Sequence, residues 1–382
     1  MKSCRELLER MIAFDTVNGA LSHKPHPERD LAICLENIAV SWGLATQRCP
    51  VSGENFNLFI TCESDPHADW LLFDSHIDTV STEGMDIDPL VAKIQGNRIY
   101  GRGTCDTKGS GAAMLWAMRN FAQSETRRFN VGLLFSLDEE SGMTGAAAFT
   151  RGKLRDLQTC SRIIGIVVGE PTGMRPVVAH GGLVRGKITT CGRSCHSSDP
   201  SQGASAISRM VKVIDAFESQ YIPSINAAHP LAGRAVTSVN TIRGGSQVNI
   251  IPDYCEIEFD RRLMPGESSE SVLREIEMFL QTLPEKNSLT LEPTFTLEPL
   301  NPTGHGAFLD FVSSALRVRG TDATPIGAPW ATNASHYNTQ CPAVVLGPGD
   351  IAQAHTKDEW LDLAQLDLAA EIYLNLMLSK DS

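Results

Sequence analysis

Three stretches of this chain run apolar for several residues and then turn abruptly polar. Leu71-Leu72-Phe73 leads into Asp74-Ser75-His76-Ile77-Asp78. Val131-Gly132-Leu133-Leu134-Phe135-Ser136-Leu137 leads into Asp138-Glu139-Glu140, and the run Ile163 to Val168 ends in Gly169-Glu170-Pro171-Thr172. A continuous apolar run is what a strand buried on both faces requires, and such strands belong to parallel sheets covered by helices. Ligands of open α/β sheets bind just beyond the carboxyl ends of these strands. Carboxylates grouped there cannot face an apolar interior without a cation. His76 and Asp78 therefore mark the floor of a candidate site.

Helical stripes precede these strands. Leu7, Leu8, Met11 and Ile12 recur at helical spacing over 4–14, and residues 27–43 repeat the pattern with Pro27 in the first turn. His23 and His26 fall in the loop between them and read as solvated. Strands are expected at 57–62 and 70–75. A glycine-rich loop, Gly101-Arg102-Gly103-Thr104-Cys105-Asp106-Thr107-Lys108-Gly109, then opens a helix. It lacks the Gly-x-x-x-x-Gly-Lys-Ser/Thr phosphate signature, and Asp106 at its centre would repel a phosphate unless a metal intervened. The alternation of strand and helix defines an α/β class.

After residue 183 the texture changes. Residues 183–192 alternate like a half-exposed strand. A helix follows over 203–219, then strands at 236–243 and 253–261, a helix from Ser268 to Leu283, and a strand at 288–297. This order predicts a small inserted α+β, ferredoxin-like domain with an exposed sheet face or edge, an edge a second copy could cover. Residues 305–382 return to the first texture, with helices at 306–319 and 363–379 and an apolar run at 343–347. The expected organisation is a catalytic domain with a mixed, mostly parallel central sheet flanked by helices (1–182 and 298–382), split by the insert at 183–297.

The bulk numbers narrow the partners. A chain of 382 residues has two domains as its prior. Its net charge of −12 disfavours nucleic acid and anionic membranes. No apolar run reaches the ~20 residues that a spanning helix needs. The start, Met1-Lys2-Ser3-Cys4-Arg5-Glu6, lacks the apolar core of a signal peptide. Ten scattered cysteines without a Cys-x-x-Cys read as reduced thiols of a cytoplasmic protein. Cys195 next to His196 makes a poor thiol dyad, because adjacent strand residues point to opposite faces.

The polar residues at strand ends are His76, Asp78, Asp106, Glu139, Glu140 and Glu170, joined by His355 in a late loop. Two imidazoles with several carboxylates form a nitrogen and oxygen donor set. Such a set suits zinc, manganese or cobalt and lacks the thiolates of a structural zinc site. There are enough donors for two ions. A paired site needs one bridging carboxylate, with one histidine and one further carboxylate for each ion.

His76-x-Asp78, Gly101-Arg102-Gly103-Thr104-x-Asp106-x-Lys108-Gly109, Asp138-Glu139-Glu140-x-Gly142 and Gly169-Glu170-Pro171-Thr172 resemble, in order, the motifs of the dizinc aminoacylase and carboxypeptidase metallopeptidase family. That family includes acetylornithine deacetylase, succinyl-diaminopimelate desuccinylase and carboxypeptidase G. The stretch from Gly347 through Gly349-Asp350 and His355-Thr356 to Asp358-Glu359 is most similar to the acetylornithine deacetylase branch. The resemblance implies His76, Asp106 and Glu170 on one metal and Asp106, Glu140 and His355 on the other, with Asp106 bridging. It implies Glu139 as general acid/base and Asp78 as the residue that orients His76. Residues i and i+2 of an extended segment share a face, which agrees with the last point.

The same resemblance implies His196 as an oxyanion donor reaching from the lid of a partner subunit. It implies substrate contacts at Asn249, Arg262, Thr332 and Gly347. The expected activity is hydrolysis of an N-acyl-L-amino acid by a cytoplasmic homodimer with two Zn²⁺, for which Co²⁺ or Mn²⁺ can substitute. The alternatives are a dipeptidase or carboxypeptidase, a succinyl-diaminopimelate desuccinylase, and a non-enzymatic ligand-binding protein of the same fold. Asp138 reads as structural and His180 as a hydrogen bonder near the domain junction. His67, His229 and His305 read as exposed. His336 receives no role.

Overall fold

The computed structural model describes residues 1–379. The chain divides into two compact units. The first comprises Met1–Val178, Pro302–Ile326 and the chain from Thr332 onward, and the second comprises Ala179–Asn301 with Gly327–Ala331.

A mixed eight-stranded sheet runs in the order Ala45–Ser52, Asn55–Cys62, Asn130–Ser136, Trp70–His76, Ile163–Val168, Ala343–Val345, Val177–His180, Ile326–Ala328. The four strands from Asn130–Ser136 to Ala343–Val345 are mutually parallel, and antiparallel strands flank them. Every residue of Trp70–His76, Asn130–Ser136 and Ile163–Val168 is buried, which is why these runs show no polar alternation. Helix Lys108–Ala122 packs on the sheet and against helices Cys4–Ile12 and Leu363–Leu378. Its small residues permit the approach: a Cβ on Gly111 would meet Phe135 at 2.8 Å and the Ser75 hydroxyl at 2.9 Å. Phe73 meets the Tyr373 ring edge-on at 5.8 Å. Each large side chain buried in this way contributes about 1.5–3 kcal/mol.

The second unit is a four-stranded antiparallel sheet in the order Val236–Gly244, Tyr254–Leu263, Gly182–Cys191, Leu289–Leu297. Helices Ala206–Ala216 and Ser269–Thr282 cover one face, and Met210, Val213, Val272 and Ile276 pack there with Ile188, Ile257 and Phe259. This is the ferredoxin-like order expected from the sequence. The first helix stops at Ala216 and continues as a π-turn over Phe217–Tyr221.

Some elements were not legible. Strand Ala45–Ser52 lies at a sheet edge with mostly exposed polar side chains, so no apolar pattern marks it. Helix Lys153–Cys160 buries only Leu154 and Leu157. His67 is exposed as expected, but His229 and His305 are half-buried. His26 bonds Asn55 rather than water alone.

His180 is fully buried, its Nδ1 donating to the Gly181 carbonyl at 2.9 Å. Burial pushes its imidazole down to about 4. The folded chain thus refuses a proton that the unfolded chain takes up below the ordinary pKa of about 6.5. The resulting stability is complete above pH 6.5 and is lost as pH falls toward 4. Urea unfolding across this window should show a steeper loss of stability for the parent than for His180→Gln, by about 1–3 kcal/mol in total. Parallel stability–pH curves would contradict the buried neutral imidazole.

Candidate metal centre

The four parallel strands place their carboxyl ends side by side, and each feeds one part of a cluster. His76 ends its strand opposite Ser136. Glu139 and Glu140 follow the Asn130–Ser136 strand, and Glu170 follows Ile163–Val168. His355 lies in the loop after Ala343–Val345. Asp106 comes from the glycine-rich loop that precedes helix Lys108–Ala122.

The Asp106 carboxylate divides between two sides. Its Oδ1 lies 3.1 Å from His76 Nε2 and its Oδ2 lies 3.3 Å from His355 Nε2. His76 Nε2 is also 3.9 Å from Glu170 Oε1, and His355 Nε2 is 3.2 Å from Glu140 Oε2. His76, Asp106 and Glu140 each offer a donor atom within 4.8 Å of the others. His76, Asp106 and Glu170 are buried, while the His355 side chain is about half exposed.

This cluster is electrostatically frustrated without added positive charge. Burial and the neighbouring carboxylates push Glu139 and Glu170 well above the usual carboxylate range, against the pull of His76. Burial and the nearby Asp106 also raise Glu140. Burial opposes protonation of His76, yet bonds to Asp106 and Asp78 hold it well above its ordinary value. Bonds to Asp106 and Glu140 raise His355 to about 10. Glu140 Oε1 is buried without a hydrogen-bond partner. A nitrogen and oxygen donor set, mutually repelling carboxylates and an orphaned buried oxygen fit divalent cations. His76, Asp106 and Glu170 could hold one, and His355, Asp106 and Glu140 the other.

The surroundings fix these donors. His76 Nδ1 donates to the Asp78 carbonyl at 3.0 Å, which leaves Nε2 aimed at Asp106. The Asp78 carboxylate stands farther from the ring, at 3.5 Å. It accepts instead from the backbone N–H groups of Glu139 at 3.0 Å and Glu140 at 3.1 Å, and from Asn18 Nδ2 at 2.8 Å. Asp78 thus orients His76 through its main chain and the Glu139–Glu140 turn through its side chain. Asp138 accepts from Asn18 at 3.0 Å and Thr144 at 2.6 Å. Burial lowers His336 to about 4, and His336 belongs to the short helix Ala334–Tyr337.

Thr332 is 1% exposed, and its hydroxyl accepts from the Ala334 N–H at 3.1 Å. Gly347 is buried because backbone packs on it: a Cβ there would lie 2.5 Å from the Glu170 carbonyl. Arg262 Nε pairs with Asp260 at 2.7 Å, which occupies the charge expected to meet a carboxylate. In the second unit His196 and Asn249 are exposed, and His196 Nδ1 lies 2.8 Å from the Ser198 hydroxyl. Sequence reasoning missed Asn18, Arg102 and the organising role of Glu359. Arg102 and Glu359 stood inside quoted motifs, but nothing in their spacing showed that they meet.

A parallel-stranded α/β unit with such a donor set at its strand ends could hold divalent cations where ligands of such sheets bind. Residues 72–379 match the peptidase family M20/M25/M40, and the chain belongs to that family. It is 32% identical over 380 residues to an acetylornithine deacetylase of Pectobacterium carotovorum subsp. carotovorum (strain PC1), covering 94% of this chain and 92% of that protein. Among solved structures, it is similar to an M20 family metallo-carboxypeptidase of Sulfolobus solfataricus, with TM-score 0.78, 15% identity and 99% of each chain covered. It is also similar to a dinuclear metal-binding peptidase of Bacillus subtilis, with TM-score 0.71, 15% identity and 98% and 96% covered. No helix among the described residues is long and apolar enough to cross a membrane.

Metal-free protein should take up two Zn²⁺ or Co²⁺ per chain by elemental analysis after dialysis. Glu140→Ala should retain one. Two ions retained by that variant would remove Glu140 from the donor set.

Proposed function

We propose that this chain is a dinuclear metal-dependent amidohydrolase that removes the acyl group from an N-acyl-L-amino acid of the acetylornithine kind. The observation that carries this reading is the Asp106 carboxylate, which has one oxygen toward His76 and the other toward His355. Identity of about 30% to acetylornithine deacetylases over most of the chain supports the substrate class.

The chemistry two divalent cations supply at such a centre is Lewis acidity toward an amide carbonyl and a lowered pKa for water. Glu139 is proposed to move the proton. Burial acts most strongly on its carboxylate, followed by the charges of His76, Glu140, Asp106 and Asp78. Its main chain is pinned by Asp78, so the side chain stays beside the cluster. Its Oε accepts a proton from water and delivers it to the leaving amine nitrogen. His196 is proposed as the oxyanion donor, supplied by a second copy of the chain. Its exposure and its Nδ1 bond to Ser198, which leaves Nε2 available, support this role. The unpaired edge of strand Val236–Gly244, beside exposed Ile207, Val211 and Ile242, supports a homodimer built through this unit. Asn249 and Arg262 are proposed to face substrate, with Arg262 exchanging its Asp260 partner for a carboxylate.

Glu139→Gln should keep both ions and lose at least 10³-fold in kcat, about 4 kcal/mol of barrier. Near-parent turnover would exclude Glu139 as the proton carrier. A turnover screen should find N-acetylornithine or a related N-acetyl amino acid preferred over N-succinyl-diaminopimelate and dipeptides. Preference for dipeptides would replace the deacylase reading with a peptidase. Mixed His196→Ala and Glu139→Gln chains should recover activity in verified heterodimers, and none recovered would count against donation across a dimer.

A further inference from the structure

Glu359 is a fully buried carboxylate four residues beyond His355. Its two oxygens accept from four donors, all in the loop that carries Asp106. Oε2 accepts from Arg102 Nη1 at 2.8 Å and from the Gly103 N–H at 2.9 Å. Oε1 accepts from the Cys105 N–H at 2.8 Å and from the Asp106 N–H at 3.0 Å. The Gly101 N–H also donates to the Glu359 carbonyl at 3.1 Å. Next along the chain, Trp360 pairs with Tyr100 in a short antiparallel ladder. Arg102 spends its other arm on the Ser81 carbonyl, at 2.9 Å.

We infer that Glu359 is a positioning residue that locks the Asp106 loop to the His355 loop, and that the cation site formed by Asp106, Glu140 and His355 depends on this lock more than the other does. The inference rests on the two-cation reading given above. Its reason is an asymmetry of supports. His76 and Glu170 follow directly from adjacent buried strands, whose ladder bonds hold them whatever the loops do. The second site has only Glu140 on a strand-anchored turn. Its other donors, Asp106 and His355, come from two loops more than two hundred residues apart in sequence, and His355 itself is half exposed with a left-handed φ of 62°. Charge-assisted bonds from one carboxylate to several loop N–H groups are strong and directional. A buried carboxylate with every lone-pair direction engaged has one stable placement. Fixing both loops to it narrows the spread of distances between Asp106 Oδ2 and His355 Nε2, on which capture of a second ion depends.

Glu359→Gln tests this. The amide has one acceptor oxygen, so it can serve the Cys105 and Asp106 N–H groups or the Arg102 and Gly103 donors, but not both pairs. Metal-free parent and variant are titrated with Co²⁺ and followed by visible absorption and calorimetry, with apo melting temperature and amide exchange at Cys105 and Asp106 measured alongside. The expected result is two ions bound by the parent. In the variant, affinity for the weaker ion falls at least tenfold, affinity for the tighter ion changes by less than about threefold, and protection is lost at the two amides. Unchanged affinity for both ions, or equal weakening of both in proportion to a lower melting temperature, overturns the inference. A parent that binds fewer than two ions overturns the two-cation reading instead. Should Glu359→Gln fail to fold, Glu359→Asp keeps the charge beside Arg102 but is one methylene too short to reach all four donors. It is read in the same titration with the same outcomes.

Discussion

Four carboxylates and two imidazoles crowd one largely buried corner of this protein, and the mutual repulsion of the carboxylates is the constraint around which the first unit is built. Asp106, Glu139, Glu140 and Glu170 cannot all ionise there unless positive charge joins them. With protein groups alone, the compensation falls on protonated His76 and His355, each drawn upward by the carboxylates they touch. Divalent cations satisfy the same charges and leave the imidazoles neutral, as ligands must be. On the proposed reading, a shared Asp106 carboxylate would let two such charges sit close together without two separate sets of four donors.

The fold concentrates these groups by simple means. Four adjacent parallel strands end at one edge, so residues distant in sequence become neighbours without long excursions of chain. The cost is that the donors lie on turns and loops, which need fixing. Asp78 fixes the Glu139–Glu140 turn by accepting two backbone N–H bonds, and Asn18 holds Asp78 in turn. Glu359 does the same for the Asp106 loop. On the proposed reading, Glu139 lies beside the cluster with its main chain held by Asp78, and that placement suits a group that must gain and lose a proton.

Much of this was legible in the sequence because it follows from periodicity. Buried parallel strands announce themselves as unbroken apolar runs, and charged residues at their ends stand out against them. The ferredoxin-like order was legible for the same reason, through alternation and helical spacing. What stayed hidden depends on contacts between distant segments. The four donors of Glu359 lie some 250 residues before it, and no local pattern encodes that meeting. Asp78 was expected to orient His76, but that its backbone carbonyl lies nearer the ring than its carboxylate does is not written in the motif. The Thr332 hydroxyl bond to the Ala334 N–H and the close approach of backbone to Gly347 are likewise invisible in the sequence. Arg262 has a charge partner two residues away that a motif does not reveal.

The central claim is that one carboxylate, Asp106, joins two cation sites into a single centre. The most direct measurement is electron paramagnetic resonance of metal-free protein loaded with two equivalents of Mn²⁺. A shared carboxylate predicts a spin-coupled spectrum from a pair of ions, replaced by an uncoupled spectrum in Asp106→Asn. A spectrum of isolated ions in the parent protein would contradict the account.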